Sequence, residues 1–306
     1  MRASVTVRVP GSTSNLGAGF DCVGVAVGRW LRVTAALRPG GAGDRVTLER
    51  SGTLAALGLA PERDLLYRGF AAACRAAGRD GVGPVTLHVD SEIPVARGLG
   101  SSGAAAVAGA AAAAALFDLP LERHALTTLC AELEGHPDNV AASVYGGATL
   151  VLRGPSGLVV TPLVLHDALA LVFAIPDFAV ETERARAVLP EIVPHGQAVV
   201  AVAKSAALVH GLAHADAEAL AAGLDDVLHV PYRRALVPGY DDVTAAARQA
   251  GAYGATLSGS GPTVVAIAPA TSAGRVADAM VVAWRGSGVV AERFTGARPA
   301  RGYEVT

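Results

Sequence analysis

A glycine- and serine-rich segment of the chain leads directly into an alanine-rich stretch with helical character. It reads Gly98-Leu99-Gly100-Ser101-Ser102-Gly103 and follows Pro94 and Arg97. Unpaired backbone N–H groups at a helix start, together with the positive end of the helix dipole, favour a bound anion. The segment therefore predicts a phosphate-binding loop with a nucleotide as its ligand. The alternative is that Ser101 or Ser102 simply caps the helix.

Glu134 has the right chemistry for a metal ion beside such a loop. Mg²⁺ bound to nucleotide phosphates takes one or two protein carboxylates in addition to the phosphate oxygens. We expect Glu134 to supply a carboxylate, and the hydroxyl of Ser101 or Ser102 to reach the same ion. Glu132 lies two residues earlier, roughly on the opposite side of a helix, and is expected to face solvent.

Asp138 allows two interpretations. In Pro137-Asp138-Asn139, followed by a helix-like sequence, an aspartate is an ordinary helix cap. The same carboxylate could bind a substrate or take its proton, provided that it lies within hydrogen-bond reach. The sequence leaves this choice open.

Two more glycine-rich segments occur elsewhere in the chain. Residues 10–21 follow a short alternating strand, and residues 254–263 precede an apolar one. The loop at 98–103 differs from the two best-known phosphate loops, because it lacks the G-x-x-x-x-G-K-[ST] pattern and the βαβ context of a dinucleotide fold.

Composition narrows the function classes. Hydrophobic residues make up 52% of the 306-residue chain and aromatic residues only 5%, so alanine and valine must fill the core. The net charge of -2, without a basic block, argues against nucleic-acid binding. The longest apolar run, 103–117, is too short to span a bilayer, and no signal peptide is visible. We therefore expect a cytoplasmic protein without a membrane partner.

Hydrophobic periodicity predicts a mixed fold. Strands are expected near 5–9, 45–49, 85–89, 148–152, 169–175, 264–268 and 289–294. Helices are expected near 64–77, 102–116, 122–134, 182–189, 197–222, 241–250 and through Trp284. Strands and helices mix without regular alternation, which indicates an α+β fold. A composition shift at 153–157 predicts two domains, 1–155 and 156–306.

The three glycine-rich loops, in this order, resemble the signature motifs of the GHMP small-molecule kinases. Segments 134–141, 182–190 and 232–238 are similar to those of the homoserine kinases within that superfamily. The resemblance covers nearly the whole chain. It implies an N-terminal α+β nucleotide-binding domain, a C-terminal ferredoxin-like α+β domain and an active site in the cleft between them. It is also compatible with a homodimer.

The resemblance further implies roles for individual residues. Loop 98–103 would wrap the phosphates of ATP, Glu134 would hold Mg²⁺, and Asn139 would orient the accepting hydroxyl, so that Asn139, Asp138 and Glu134 form the catalytic set. The other implied ligands are, for the amino-acid substrate, Asn15, Asp21, His136, Asp138, Thr182, Arg186 and Arg233, and, for the nucleotide, Asp64, Pro94, Arg97, Ser258, Ser260 and Gly261. Asp64 stands where the family has an asparagine.

The activity implied by the resemblance is ATP- and Mg²⁺-dependent phosphorylation of the side-chain hydroxyl of L-homoserine, giving O-phospho-L-homoserine on the way to threonine. Two alternatives are a GHMP kinase for a different small alcohol and a nucleotide- or amino-acid-binding regulator without turnover.

Overall fold

The computed structural model describes residues 2–38, 46–155, 157–296 and 299–306. Within these ranges the chain forms eleven strands and ten helices. The strands are β1 (Ser4–Asn15), β2 (Gly19–Leu37), β3 (Val46–Gly52), β4 (Val85–Ser91), β5 (Ala148–Gly154), β6 (Gly157–Leu163), β7 (Leu169–Pro176), β8 (Gly254–Leu257), β9 (Val264–Pro269), β10 (Ala291–Gly296) and β11 (Glu304–Val305). The helices are α1 (Leu65–Ala76), α2 (Ser101–Phe117), α3 (Arg123–Glu134), α4 (Asp138–Tyr145), α5 (Thr182–Ala187), α6 (His195–His214), α7 (Ala217–Leu224), α8 (Val230–Arg233), α9 (Tyr240–Gln249) and α10 (Ala273–Gly286).

The first sheet has seven strands and forms the N-terminal part of the molecule. Its main path is β11-β1-β2-β4-β3, and β5 pairs with β2 and β6. All pairs are antiparallel except β3 with β4. Val5, Val7 and Val9 alternate along β1 and are buried, which confirms the strand predicted there. The helices α2 and α4 pack against β1 and β2.

The second sheet has four strands in the order β10-β7-β9-β8, all antiparallel. Numbered along the chain, these strands lie in the order 4-1-3-2, and helices connect the first to the second and the third to the fourth. This is the β-α-β-β-α-β arrangement of a ferredoxin-like fold. The α+β class and the ferredoxin-like second half are therefore confirmed.

Strand β7 is apolar along its whole length because it is buried on both faces. Leu171 and Phe173 belong to the large core that also contains the first sheet, whereas Val172 and Ala174 belong to a second core with Trp284 of α10. Alternate residues of a strand point to opposite faces, so a single strand joins the two cores.

Two sequence predictions differ from the structure. The single helix predicted over 197–222 is divided into α6 and α7, because Ala215 has a left-handed backbone (φ 54°) and the Asp216 side chain caps α7 through the Ala219 N–H. Strands β2, β6, β8 and β11 were not predicted, and β8 lies in the segment 254–263 that was expected to be a loop. Arg45, the first residue of the strand predicted at 45–49, lies outside the described residues, as does Ser156.

The predicted division after residue 155 falls within a hairpin. Strand β6 pairs with β5 from Ala148–Leu163 to Gly154–Gly157, so the first sheet continues to Leu163. Strand β11, near the end of the chain, pairs with β1 in the same sheet. The first sheet thus uses strands from both predicted domains, and the limits of the two domains stay a prediction.

One helix among the described residues, α6, is long and apolar enough by length and composition to cross a membrane. Leu208 and Leu212 of this helix belong to the large core, and α6 packs on α7. Lys204 on the same helix pairs with Asp225 at 2.6 Å. One face of α6 therefore packs against the rest of the protein.

We expect Gly109→Ala to destabilise the protein through the contact of α1 with α2. A Cβ at Gly109 would lie 1.9 Å from the carbonyl oxygen of Leu66, so the helices would have to separate. Overpacking of this kind costs about 2 kcal/mol of the free energy of unfolding. Gly274→Ala in α10 is the control, since its Cβ would meet open space and a glycine-to-alanine change in a helix adds up to about 1 kcal/mol. Urea unfolding measures both, and an unchanged midpoint for Gly109→Ala would contradict the tight contact.

Candidate active site

A cavity of about 760 Å³ lies where the three glycine-rich loops meet. Segment 94–102 lines one wall, the first loop contributes Ser14, Asn15 and Asp21, and the third contributes Gly259 and Ser260. The wall also includes residues of α5, Arg233 and, at the junction of α3 and α4, Glu134, Gly135, His136, Asp138 and Asn139. Of the residues predicted from the sequence to bind ligands, Gly103, Ser258 and Gly261 do not line this cavity.

The loop before α2 has the geometry of an anion cradle. Gly98 and Gly100 have left-handed φ angles of 74° and 68°, and Gly100 is the residue that precedes the helix. A Cβ at Gly98 would lie 2.1 Å from the Ser258 carbonyl oxygen, and a Cβ at Gly100 would lie 2.2 Å from Ser12 Oγ. No side chain caps the helix, so its first N–H groups remain for a ligand. The alternative in which Ser101 or Ser102 caps α2 is therefore wrong.

Glu134 ends α3 beside this cradle and is almost fully buried, with 6% of its side chain exposed. The hydroxyl of Ser102 donates a hydrogen bond to its carboxylate. Burial raises the pKa of Glu134 above its usual range, while the bond from Ser102 and the charge of His136 act in the opposite direction. A buried carboxylate next to a hydroxyl offers the hard oxygen ligands that suit Mg²⁺.

His136 lies between two carboxylates. Its Nδ1 atom is 3.4 Å from Asp138 Oδ1, and its Nε2 atom is 3.7 Å from Glu134 Oε1. Burial alone would lower the pKa of His136, but the neighbouring Asp138 and Glu134 outweigh burial and raise it. The imidazolium is thereby favoured, and it balances part of the negative charge at this end of the cavity.

Asp138 and Asn139 form the first turn of α4 and connect it to β1. Asp138 Oδ1 accepts the N–H of Asn139 at 2.8 Å, while Pro137 occupies the capping position. The Asn139 side chain accepts a hydrogen bond from Ser12 Oγ at 2.9 Å and donates one to Ser14 Oγ at 3.1 Å. Asp138 is thus the first residue of α4 and not its cap, so the capping interpretation is wrong, and the carboxylate lines the cavity.

Asp21 and Arg186 bind each other, which the sequence did not indicate. Arg186 donates from Nη1 and Nη2 to the two carboxylate oxygens at 3.1 and 2.8 Å. The bonds with Asp21 raise the pKa of Arg186, with burial acting against them. About a third of each side chain is exposed to the cavity or solvent, so this pair is open to exchange with a ligand of opposite charges.

Arg233 is buried at the same end of the cavity. Its Nε donates to the Ala185 carbonyl at 3.0 Å, and its Nη1 lies 3.4 Å from the Gly259 carbonyl oxygen. Burial and the nearby charge of Arg186 lower its pKa to about 10, which leaves it protonated at neutral pH. These contacts use Nε and Nη1 and leave Nη2 for a ligand.

Several predicted ligand residues hold the loops in place. Arg97 donates to three backbone carbonyls, including Pro176 at 3.0 Å, and thus fixes the loop to the end of β7. Ser258 Oγ lies 2.6 Å from the Gly98 carbonyl oxygen. Asn15 lines the cavity, but its amide is engaged by Gly259 and by the backbone of Asp21.

Asp64 also lines the cavity, and its carboxylate is fully engaged. One oxygen caps α1 through the Leu66 N–H, and the other accepts from Arg50 at 2.6 Å. Arg50 was not predicted from the sequence to line the cavity. Neither were four leucines that make this part of the cavity apolar: Leu48, Leu54, Leu57 and Leu59. In the sequence, this apolar wall was indicated only by the presence of apolar residues near Asp64.

Comparisons with known proteins agree with this geometry. Residues 64–147 match the family "GHMP kinases N terminal domain" and residues 208–284 match "GHMP kinases C terminal". A homoserine kinase from Picosynechococcus sp. is 43% identical over 291 residues, which cover 94% of each chain. One from Gloeobacter violaceus is 41% identical and covers 91% of this chain and 92% of its own.

Solved structures give the same result. A homoserine kinase from Cytophaga hutchinsonii has a TM-score of 0.89 and 29% identity, with 100% of this chain and 98% of that chain covered. A mevalonate kinase from L. major, 17% identical with a TM-score of 0.68, shares the fold. With sequence relatives above 30% identity along almost its full length, the chain belongs to the homoserine kinases of the GHMP kinase superfamily.

Proposed function

We propose that the protein transfers the γ-phosphoryl group of ATP to the side-chain hydroxyl of L-homoserine, giving O-phospho-L-homoserine. One observation carries the proposal: a single cavity is lined by an anion cradle, by a cluster of opposite charges and by Asn139. Phosphoryl transfer needs this arrangement, because the protein's main tasks are to align two oxygens and to stabilise the charge on the moving group.

The nucleotide would bind across loop 98–102 and the apolar wall of leucines. Backbone N–H groups at the start of α2 would hold the phosphates, since no side chain caps this helix. Glu134 and Ser102 provide suitable oxygens for Mg²⁺, which supplies positive charge beside the phosphates when bound. No group of three or more His, Cys, Asp or Glu side chains in the described ranges could hold a metal ion, so phosphate oxygens and waters would supply the remaining ligands.

The acceptor would bind by replacing each partner of the Asp21–Arg186 pair. An α-carboxylate matches the fork of Arg186 and the Nη2 group of Arg233, and an α-ammonium matches Asp21 and Asp138. Thr182, whose Oγ1 lies 3.5 Å from Ser260 Oγ, adds a hydroxyl at the same end. A small zwitterion satisfies both charges at once. Mevalonate would take Arg186 and leave Asp21 without a cation, and a neutral sugar would match neither charge.

Asn139 would orient the accepting hydroxyl. Ser12 and Ser14 fix its amide, so the side chain enters the cavity with a defined orientation. His136 is held close to Asp138 and would contact the acceptor with it. Asp138 adds a carboxylate next to Asn139, either to bind the ammonium or to accept the hydroxyl proton.

The remaining assignments extend this proposal. O-phospho-L-homoserine would be an intermediate on the way to threonine, and we propose a cytoplasmic enzyme. A homodimer stays a prediction. A regulator without turnover fits less well, because the cradle, Glu134 and Asn139 are all present in one cavity.

Arg186→Ala is expected to abolish efficient use of L-homoserine. The change removes a bidentate, charge-assisted contact, so kcat/KM for homoserine should fall about 100-fold, while KM for ATP stays within about twofold. A coupled assay of ADP release with Mg²⁺ measures this, with mevalonate, galactose, L-serine and L-threonine as competing acceptors. Arg184→Ala, on the exposed face of the same helix, is the matched control. Wild-type turnover with another acceptor but not with homoserine would overturn the proposed substrate.

Glu134→Gln is expected to weaken the binding of Mg²⁺. The amide retains the size of the side chain and a bond with Ser102 but removes the charge. We expect kcat to fall about 100-fold and the Mg²⁺ concentration at half-maximal rate to rise. Glu132→Gln, on the exposed side of α3, should leave both values unchanged. An unaltered Mg²⁺ titration curve for Glu134→Gln would remove Glu134 from the metal site.

A further inference from the structure

His229 lies just before α8, between the first glycine-rich loop and Arg233. It does not line the cavity. Its side chain is fully buried. Its Nε2 is 3.1 Å from the carbonyl oxygen of Gly17 in the first glycine-rich loop, and its Nδ1 is 3.3 Å from Arg233 Nη1. We propose that His229 is a positioning residue that sets the place of Arg233 relative to the loop carrying Asp21. This inference rests on the proposed function, in which Arg233 and Asp21 bind opposite charges of the acceptor.

The two contacts require one tautomer of the imidazole. A guanidinium has only donors, so Nδ1 must accept from Arg233 Nη1. A carbonyl oxygen only accepts, so Nε2 must carry the proton that is donated to Gly17. The same neutral ring satisfies both partners, and either a flipped ring or a protonated one would break the contact with Arg233.

The surroundings favour the neutral form. Burial lowers the pKa of His229 to about 4, and the positive charge of Arg233 acts in the same direction, whereas Asp226 opposes it. Asp226 Oδ2 lies 3.7 Å from His229 Nε2 and instead accepts the backbone N–H groups of His229 and Val230 at 2.6 and 2.8 Å. Asp226 therefore fixes the backbone that carries the histidine.

Phe20 completes the arrangement. Its ring stacks on His229, with 4.8 Å between centroids and an interplanar angle of 19°, and the guanidinium of Arg233 lies 5.1 Å from the centroid of the same ring. Phe20 directly precedes Asp21. The ring contacts and the His229 bonds therefore connect the loop that carries Asp21 to the arginine on α8 through groups in direct contact.

The contacts of Arg233 fix the orientation of its guanidinium, which bears on which acceptors can bind. With Nε bonded to Ala185 and Nη1 facing His229, the guanidinium cannot rotate freely, and Nη2 keeps one direction. The acceptor's two charges must then match a fixed separation between Arg233 and Asp21. Loss of the His229 contact would release Arg233 and weaken binding of the acceptor more than binding of the nucleotide.

His229→Phe tests this inference, because phenylalanine retains the ring and its stacking on Phe20 but removes both hydrogen bonds. We expect KM for L-homoserine to rise about tenfold or more, with kcat within about threefold and KM for ATP within about twofold. His229→Asn keeps an acceptor close to the Nδ1 position and should restore much of the KM. His124→Phe is the control, since His124 also contacts a backbone carbonyl, that of Leu158 at 2.8 Å, but on an exposed helix face away from the cavity.

An unchanged KM for homoserine in His229→Phe would overturn the inference, as would equal increases for homoserine and ATP or a failure of His229→Asn to improve on phenylalanine. The wild-type acceptor is established first. If it is another alcohol, the proposed function fails, and the same KM comparison with that alcohol still tests His229.

A second measurement does not depend on turnover or on the stability of a variant. Long-range proton–nitrogen NMR of the wild-type protein labelled with ¹⁵N-histidine should show one buried imidazole, absent from the His229→Asn spectrum, that is neutral and protonated on Nε2 at pH 6. A ring protonated on Nδ1, or on both nitrogens, would be incompatible with acceptance from Arg233 and would overturn the inference.

Discussion

The structure depends on direct contact between the backbones of three loops that are far apart in the chain. A Cβ at Gly98 would lie 2.1 Å from the Ser258 carbonyl oxygen, and a Cβ at Gly11 would lie 2.9 Å from the Leu99 carbonyl oxygen. Only glycine allows such an approach without displacing backbone. Because the loops touch here, the start of α2, the end of β1 and the segment before β9 share one wall, and the cavity forms on the open side of that wall.

Such a junction buries polar groups, and these must be paired to be tolerated. Ser258 Oγ lies 2.8 Å from Thr13 Oγ1, and Asn15 donates to the Gly259 carbonyl at 2.8 Å. The Ser12 and Ser14 hydroxyls bond to Asn139. The pairs connect the first loop to the third loop and to α4, so the bonds that satisfy the junction also orient the side chain proposed to hold the accepting hydroxyl.

The parts of this site that depend on local sequence could be predicted. The parts that depend on contacts between residues distant in the chain could not. The anion cradle at 98–103 follows from glycine spacing and a helix start, which are local properties. The ferredoxin-like second half came from resemblance, since periodicity alone does not give strand order. The roles of Arg97 and Ser258 were missed because they depend on carbonyl groups at Pro176 and Gly98, which are distant in sequence. The pairing of Asp21 with Arg186 was missed for the same reason.

The charges around the cavity explain how buried carboxylates can lie next to a site for polyanionic phosphates. Glu134 and Asp138 would repel phosphates if they stood alone, and burial makes an isolated carboxylate unfavourable. His136 lies between them with a raised pKa, Ser102 donates to Glu134, and the positive end of α2 faces the same space. In the same cavity, Arg186 and Asp21 neutralise each other. The cavity therefore keeps its charged groups nearly balanced and solvated by protein partners, and a ligand with complementary charges can exchange with these partners without leaving a buried charge unpaired.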